Sequence, residues 1–280
     1  INQCTIYESV ARESIMTLNN QLFFGLNYGE FASITGTNLN TVTAYFAYDY
    51  RSDTGMVNFN STTGEFIYDF GSGTSFNIDS MLVLNHNFQN FSLAVTLTNT
   101  GVWTTLTAYT NQTITSHYYN IGSSTIVYDA KVNYTSTQDG AVGQMGEFIV
   151  TIKNFQLAYN PDIYQPKMTP IMTKNILWTG KGVFAKKAES YFTANIGWSA
   201  LQGNANYVGN TDLQNVTELA RKNTSFIYWP NANNTTQNLY TWRAQDIYKC
   251  KISSPVVYEW YDKSVDYIIK GTGFLIEEIV

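Results

Sequence analysis

The chain has 280 residues, a net charge of −5 and a charged fraction of 13%, about half the usual share of a soluble domain. No Lys/Arg run exceeds two residues (Lys186-Lys187, Arg221-Lys222), which argues against a nucleic-acid-binding role, and no run of about 18 apolar residues offers a membrane-spanning helix. Asn, Thr, Ser and aromatic side chains take the place of charge, with 21 Tyr, 16 Phe and 6 Trp; they suit pleated, half-buried surfaces and contacts between copies of a chain.

Strand signals run through the first 160 residues. Ile34–Tyr50 alternates loosely and breaks at the turn cluster Arg51–Gly55. Glu65–Phe70 and the apolar run Ile78–Leu84 follow, then Ser92–Leu97, Thr104–Thr110, Ile126–Val132 and Gly146–Leu157, separated by Asn-, Gly- and Ser-rich turns. This spacing predicts a jelly-roll β-sandwich over residues 1–160. Tyr159–Pro170 holds three of the five prolines and reads as a linker, because proline lacks a ladder donor.

A smaller α+β domain is expected over residues 161–280. Its strands are Asn175–Trp178, Phe184–Leu201, Phe226–Trp229, Tyr240–Ile252, Val256–Tyr261 and Val265–Ile279, with a polar loop at Asn231–Asn238. Thr211 to Gln214 has the form of a capping box, so a single helix is expected near Asp212–Lys222, with Leu213, Val216, Leu219 and Ala220 on one face and Arg221-Lys222 at its cation-favouring end. The fold class is therefore mainly β.

Catalytic or metal chemistry has little to stand on. His86 and His117 have no Cys or His at ligand spacing, and His86 reads as a turn residue satisfied by its neighbours. No nucleophile elbow, Walker loop, zinc-protease or dinucleotide motif occurs. Asp49 with Asp53 reads as turn chemistry and could at best help hold calcium; Asp262 with Asp266 flanks a hairpin, and Glu277-Glu278 sits near the last strand's end. No enzyme, cofactor or metal is expected. Cys4 and Cys250 read as unpaired thiols of a reducing compartment, with a disulfide joining the chain ends as the alternative. No signal peptide is read, and the eight Asn-X-Ser/Thr sequons follow from composition. Trp103, Tyr118 and Tyr119 lie near polar turns and are the candidates for stacking on sugars; core or subunit-contact roles are the competing reading.

Glu65–Gly71, then Phe76–Asn87, Gly101–Thr104, Met145–Ile149 and Tyr159-x-Pro161 resemble the signature segments of discoidin-like (galactose-binding-like) jelly rolls, in particular those of bacteriophage tail proteins. Asn85 stands where that family often has Gly. Leu213–Arg221, Phe226–Pro230, Trp242–Tyr248 and Glu277-Glu278 are similar to the tube-like or distal-tail domain of the same proteins. The resemblance implies a non-enzymatic structural subunit of a phage tail, near the tail tip or baseplate, assembled in the host cytoplasm. Its partners would be copies of itself in a ring, other tail proteins and a host surface glycan, with Trp229, Trp242 and Trp260 as aromatic anchors. A free or cell-surface lectin or adhesin is the alternative.

Overall fold

A computed structural model describes residues 21–49, 56–157, 161, 163–176, 182–202, 208–230, 247–254, 257–260 and 268–279. In chain order the strands are β1 (Leu22–Phe24), β2 (Ser33–Thr35), β3 (Val57–Asn58), β4 (Gly64–Asp69), β5 (Phe76–Leu84), β6 (Phe88–Thr96), β7 (Trp103–Tyr109), β8 (His117–Val127) and β9 (Asp129–Thr137). They continue with β10 (Gln144–Met145), β11 (Glu147–Thr151), β12 (Lys153–Gln156), β13 (Ile163–Ile176), β14 (Gly182–Gln202), β15 (Phe226–Trp229), β16 (Tyr248–Ile252), β17 (Val257–Trp260) and β18 (Ile268–Glu278). One helix, α1 (Val208–Lys222), lies between β14 and β15. The protein is mainly β, as its sequence predicts.

Two sheets form the sandwich: a five-stranded one, ordered β2-β4-β9-β6-β7, and a three-stranded one, ordered β11-β5-β8. Alternation builds the core between them. Phe66 and Tyr68 of β4, Leu93 and Val95 of β6, and Val132 and Tyr134 of β9 face Met81, Val83, Phe148 and Val150 of the smaller sheet, all at most 1% exposed. Tyr68 stacks on Phe148 at 5.1 Å, and its buried hydroxyl lies 2.8 Å from the Phe148 carbonyl.

The three-stranded sheet is covered on its second face too. Leu82, Leu84 and Ile149 pack against Leu22, Phe24, Ile227 and Trp229 of an eight-stranded sheet, ordered β12-β1-β15-β16-β18-β14-β13, with β17 also on β18. Within β15, Ile227 and Trp229 face the sandwich, while Phe226 and Tyr228 face the opposite way, into a cluster completed by Val216 and Leu219 of α1. The layers are thus sheet, sheet, sheet and helix. Lys249 of β16 adds an ion pair to Glu30 at 2.9 Å. Cys250 is a buried free thiol, its ionisation suppressed by desolvation.

Several expectations change. Within the proline-rich segment, residues 163–170 belong to strand β13, where Pro166 and Pro170 pair with Ala194 and Ser190 of β14 before an irregularity between Pro170 and Met172. Proline fits a strand that, among the described residues, lies at the edge of its sheet. Instead of one strand, the described part of Ile34–Tyr50 holds the end of β2, an isolated bridge from Leu39 to Phe59 and a 3-10 turn at Ala44–Tyr48, whose buried Ala44 and Ala47 are three residues apart. The strand expected at Ile126–Val132 straddles the break between β8 and β9. Helix α1 begins at Val208, so Thr211 lies inside it rather than capping it. Strands β1 and β12, expected in the first domain, hydrogen-bond into the eight-stranded sheet. Cys4, Arg51–Gly55, Asn231–Asn238 and Trp242 lie outside the described residues, as does the side chain of Trp260.

Candidate functional site

The outer face of the five-stranded sheet carries a built arrangement of polar groups around an aromatic ring. Strand register places it. Asp69 of β4 pairs with Asp129 of β9, Asp129 with Thr96 of β6, and Thr96 with Trp103 of β7, so these four side chains form one cross-strand row. The next row is Ile67, Lys131, Ala94 and Thr105, and the one after it begins with Glu65 and Asn133.

The rows are tied together. Lys131 Nζ sits 4.5 Å from the centroid of the partly exposed Trp103 ring and 2.8 Å from Glu65 Oε1. The Thr96 hydroxyl, fully buried, donates to Asp129 Oδ2 at 2.7 Å. An ammonium held on an aromatic ring and by a carboxylate is fixed in place, and it presses the indole into one orientation. Glu65, Asp69 and Asp129 supply three carboxylates against the single ammonium, so the face is acidic.

Of the residues expected to stack on sugar, only Trp103 belongs to this face. Tyr118 and Tyr119 are neighbours on β8, in the other sheet, and point to opposite sides of it. Tyr119 packs on the sandwich core and donates its hydroxyl to the Leu106 carbonyl at 3.1 Å. Tyr118 turns towards the eight-stranded sheet, edge-on to Trp229 at 5.4 Å and Phe24 at 6.1 Å, with its hydroxyl 3.4 Å from Ser80 Oγ; burial raises its ionisation above the usual phenol range. Both tyrosines are held by packing, so the structure does not gather the three rings into one platform.

The sequence reading missed Lys131, Glu65 and Asp129. The signal was present: Ala130, Val132 and Tyr134 alternate inward, which turns Asp129, Lys131 and Asn133 outward. A second concavity of about 370 Å³ lies between α1 and the β1–β12 edge, lined by Gly25, Asn154, Phe155, Asn215, Glu218 and Lys222. Its carboxylate is already engaged by Arg221 at 2.8 Å. Among the described residues no cluster of three or more His, Cys, Asp or Glu could hold a metal ion, and no helix is long and apolar enough to cross a membrane. Asp53, half of the considered calcium pair, lies outside the described residues.

No family model and no curated protein matches the chain. Solved structures do show likeness. The chitosan-binding module 1 of a Paenibacillus sp. IK-5 chitosanase/glucanase is 16% identical over 44% of this chain and 97% of its own, with a TM-score of 0.39. The family 32 carbohydrate-binding module of Clostridium perfringens NanJ, solved with galactose, is 12% identical over 47% and 98%, with a TM-score of 0.37. A Ruminococcus gnavus fucosidase solved with fucose is 18% identical over 45% and 26%, also with a TM-score of 0.37.

Proposed function

We propose that the protein is a non-enzymatic carbohydrate-binding protein whose ligand lies across Trp103 on the outer face of the five-stranded sheet. The observation that carries this is the partly exposed indole pinned by Lys131 in one row with the Asp69 and Asp129 carboxylates. A sugar offers an apolar C–H face to such a ring and hydroxyl donors to such carboxylates. Three carboxylates against one ammonium favour neutral or amino sugars and repel sialylated or sulfated ones. A glycan array followed by calorimetry tests the reading. Neutral or amino saccharides are expected to bind, and Trp103→Ala to weaken them at least tenfold, about 1.4 kcal/mol. Equal affinity of Trp103→Ala and the parent, or a preference for acidic glycans, would overturn it.

A second reading, a self-assembling subunit of a phage tail tip or baseplate, draws on a different observation. Among the described residues, strand β14 pairs with β18 from Thr193 onward, whereas Gly182–Lys186 pairs with β13 alone, giving a two-stranded ribbon that extends beyond the sheet. Such ribbons suit contacts between subunits, and a low-charge, aromatic-rich chain suits burial among copies. Light scattering and negative-stain microscopy distinguish the readings: closed rings of the purified chain support assembly, and a monomer at micromolar concentration removes it.

A further inference from the structure

The two histidines of the chain, distant in sequence, meet in the sandwich. His86 follows β5 and is 1% exposed; His117 opens β8 and is 9% exposed. Their rings stack at 5.0 Å, and His86 Nε2 lies 2.8 Å from His117 Nδ1. The bond is one link in a longer train. The Phe88 amide donates to His86 Nδ1 at 3.0 Å, and His117 Nε2 lies 3.0 Å from Gln112 Oε1.

Both ends of this train are fixed in direction. A backbone N–H can only donate, so His86 Nδ1 must be the acceptor and its proton sits on Nε2. That proton is donated to His117 Nδ1, which leaves the His117 proton on Nε2, facing Gln112. Gln112 presents its oxygen because its Nε2 donates to the Thr110 carbonyl at 2.8 Å. Only one arrangement of protons satisfies every link, and both imidazoles are neutral in it. One added proton has no place. On His86 Nδ1 it meets the Phe88 N–H; on His117 Nδ1 it meets the His86 N–H, and shifting the His86 tautomer only transfers the conflict to Phe88. Every singly protonated state therefore breaks a link.

Among the described residues, the surroundings offer the cation aromatic faces but no carboxylate. Phe88 and Phe91 of β6 and Tyr109 of β7 wall the pair at ring distances of 4.6–5.0 Å. Tyr109 is the titratable group among them, and burial keeps it a neutral phenol. Gln138 reaches in from beyond β9 to the Phe88 and Ile114 carbonyls, while the adjacent Asp139 is exposed and accepts from the Ala141 N–H.

The train fastens the connection between β7 and β8 to the β5–β6 turn. Along the same seam the His86 amide donates to the Thr115 carbonyl at 2.7 Å, the Asn85 amide to Ser116 Oγ at 2.9 Å, and the Gln112 amide to the Gln89 carbonyl at 2.8 Å. We propose that the His86–His117 pair is an acid-released latch: it holds residues 110–117 against the β5–β6 turn when neutral and lets that corner of the sandwich open when His117 takes up a proton. His117, the more exposed ring, is the one to swing outward. Desolvation lowers the His117 pKa from the usual 6.5 to about 4, and burial, with the neighbouring imidazole, also holds that of His86 well below 6.5. Both groups bind a proton more weakly in the fold than in the unfolded chain. Their contribution is therefore complete above about pH 6.5 and is lost as pH falls towards about 4.

Hydrogen exchange of the full chain at pH 7.5 and 4.5, corrected for intrinsic rates, reads the latch directly, with imidazole resonances followed by NMR over the same range. Residues 110–117 are expected to lose at least tenfold protection at pH 4.5 while β4 and β9 keep theirs, and both imidazoles to titrate below 6.5. His117→Gln is expected to exchange freely at 110–117 at both pH values. Because that substitution could disturb folding, Gln112→Ala serves as a second variant, expected to raise the midpoint of the parent's transition. Unchanged protection at 110–117 down to pH 4, loss of β4 and β9 protection in the same step, or an imidazole titrating at its ordinary value would each overturn the proposal.

Discussion

Replacing Trp229 with alanine is expected to lower the unfolding free energy by about 3–5 kcal/mol, the usual cost of emptying the site of a fully buried large aromatic. Trp229 ends β15 at 0% exposure, between the three-stranded and eight-stranded sheets, among Leu22, Phe24, Leu82, Leu84, Ile149 and Ile247. Few side chains join these layers, so the cavity falls where the sandwich is coupled to the rest. Urea unfolding followed by circular dichroism is expected to pass from one transition in the parent to two in the variant. A loss below about 1 kcal/mol with one transition retained would show that the layers are joined elsewhere. Trp229→Phe is expected to be much milder than its volume suggests, because the buried indole N–H has no hydrogen-bond partner among the described residues, and its removal relieves a desolvated donor.

Asn27→Ala is expected to cost about 3 kcal/mol by a different route. The Asn27 side chain, 0% exposed, accepts from the amides of Gly29 and Val150 at 3.0 and 2.9 Å and donates to the Phe148 carbonyl at 3.0 Å. It thus stands in for a strand neighbour along β11, more than a hundred residues away in sequence. Alanine would strand the buried Gly29 and Val150 amides, each worth about 1–3 kcal/mol before relaxation, while the Phe148 carbonyl keeps the Tyr68 hydroxyl as a donor. Asn27→Asp separates the roles. It keeps both acceptances but replaces the donor with a buried charge near the Phe148 carbonyl, so it is expected to be as damaging as alanine at neutral pH. Acidification should recover part of the loss, since a protonated carboxyl donates again. Thermal denaturation of both variants at pH 7 and pH 5 checks this, and parallel behaviour of the two would sink the hydrogen-bond account.

Most of the β-structure was legible because alternation is a local signal. Strands β4, β5, β6, β7, β15 and β18 lie close to where apolar spacing puts them, and α1 ends at the expected Lys222. The misses share a cause: in each, a long-range partner overrode the local pattern. Pro166 and Pro170 looked like linker residues because nothing in the sequence says that β13 is an edge. Leu22–Phe24 is too short to announce a strand, and its place between β12 and β15 depends on residues some 130 and 200 positions away. The site was legible in one part only. Trp103 stood out as an aromatic beside a polar turn, but Glu65, Lys131 and Asp129 reach it through the registers of four strands. Tyr118 and Tyr119 looked equivalent to Trp103 until the layer outside β8 was seen. The meeting of His86 and His117 depends likewise on the pairing of β5 with β8.

The position of β1 bears on how the chain is made. It lies between β12 and β15, so one of its two neighbours is synthesised about 200 residues after it. On the ribosome, the sandwich emerges with Leu22, Phe24, Leu82, Leu84 and Ile149 facing water until Ile227 and Trp229 arrive. Such a nascent chain needs a chaperone or a fast finish, and a fragment stopped near residue 160 would carry that apolar face permanently. The two halves that read as separate modules share this apolar layer.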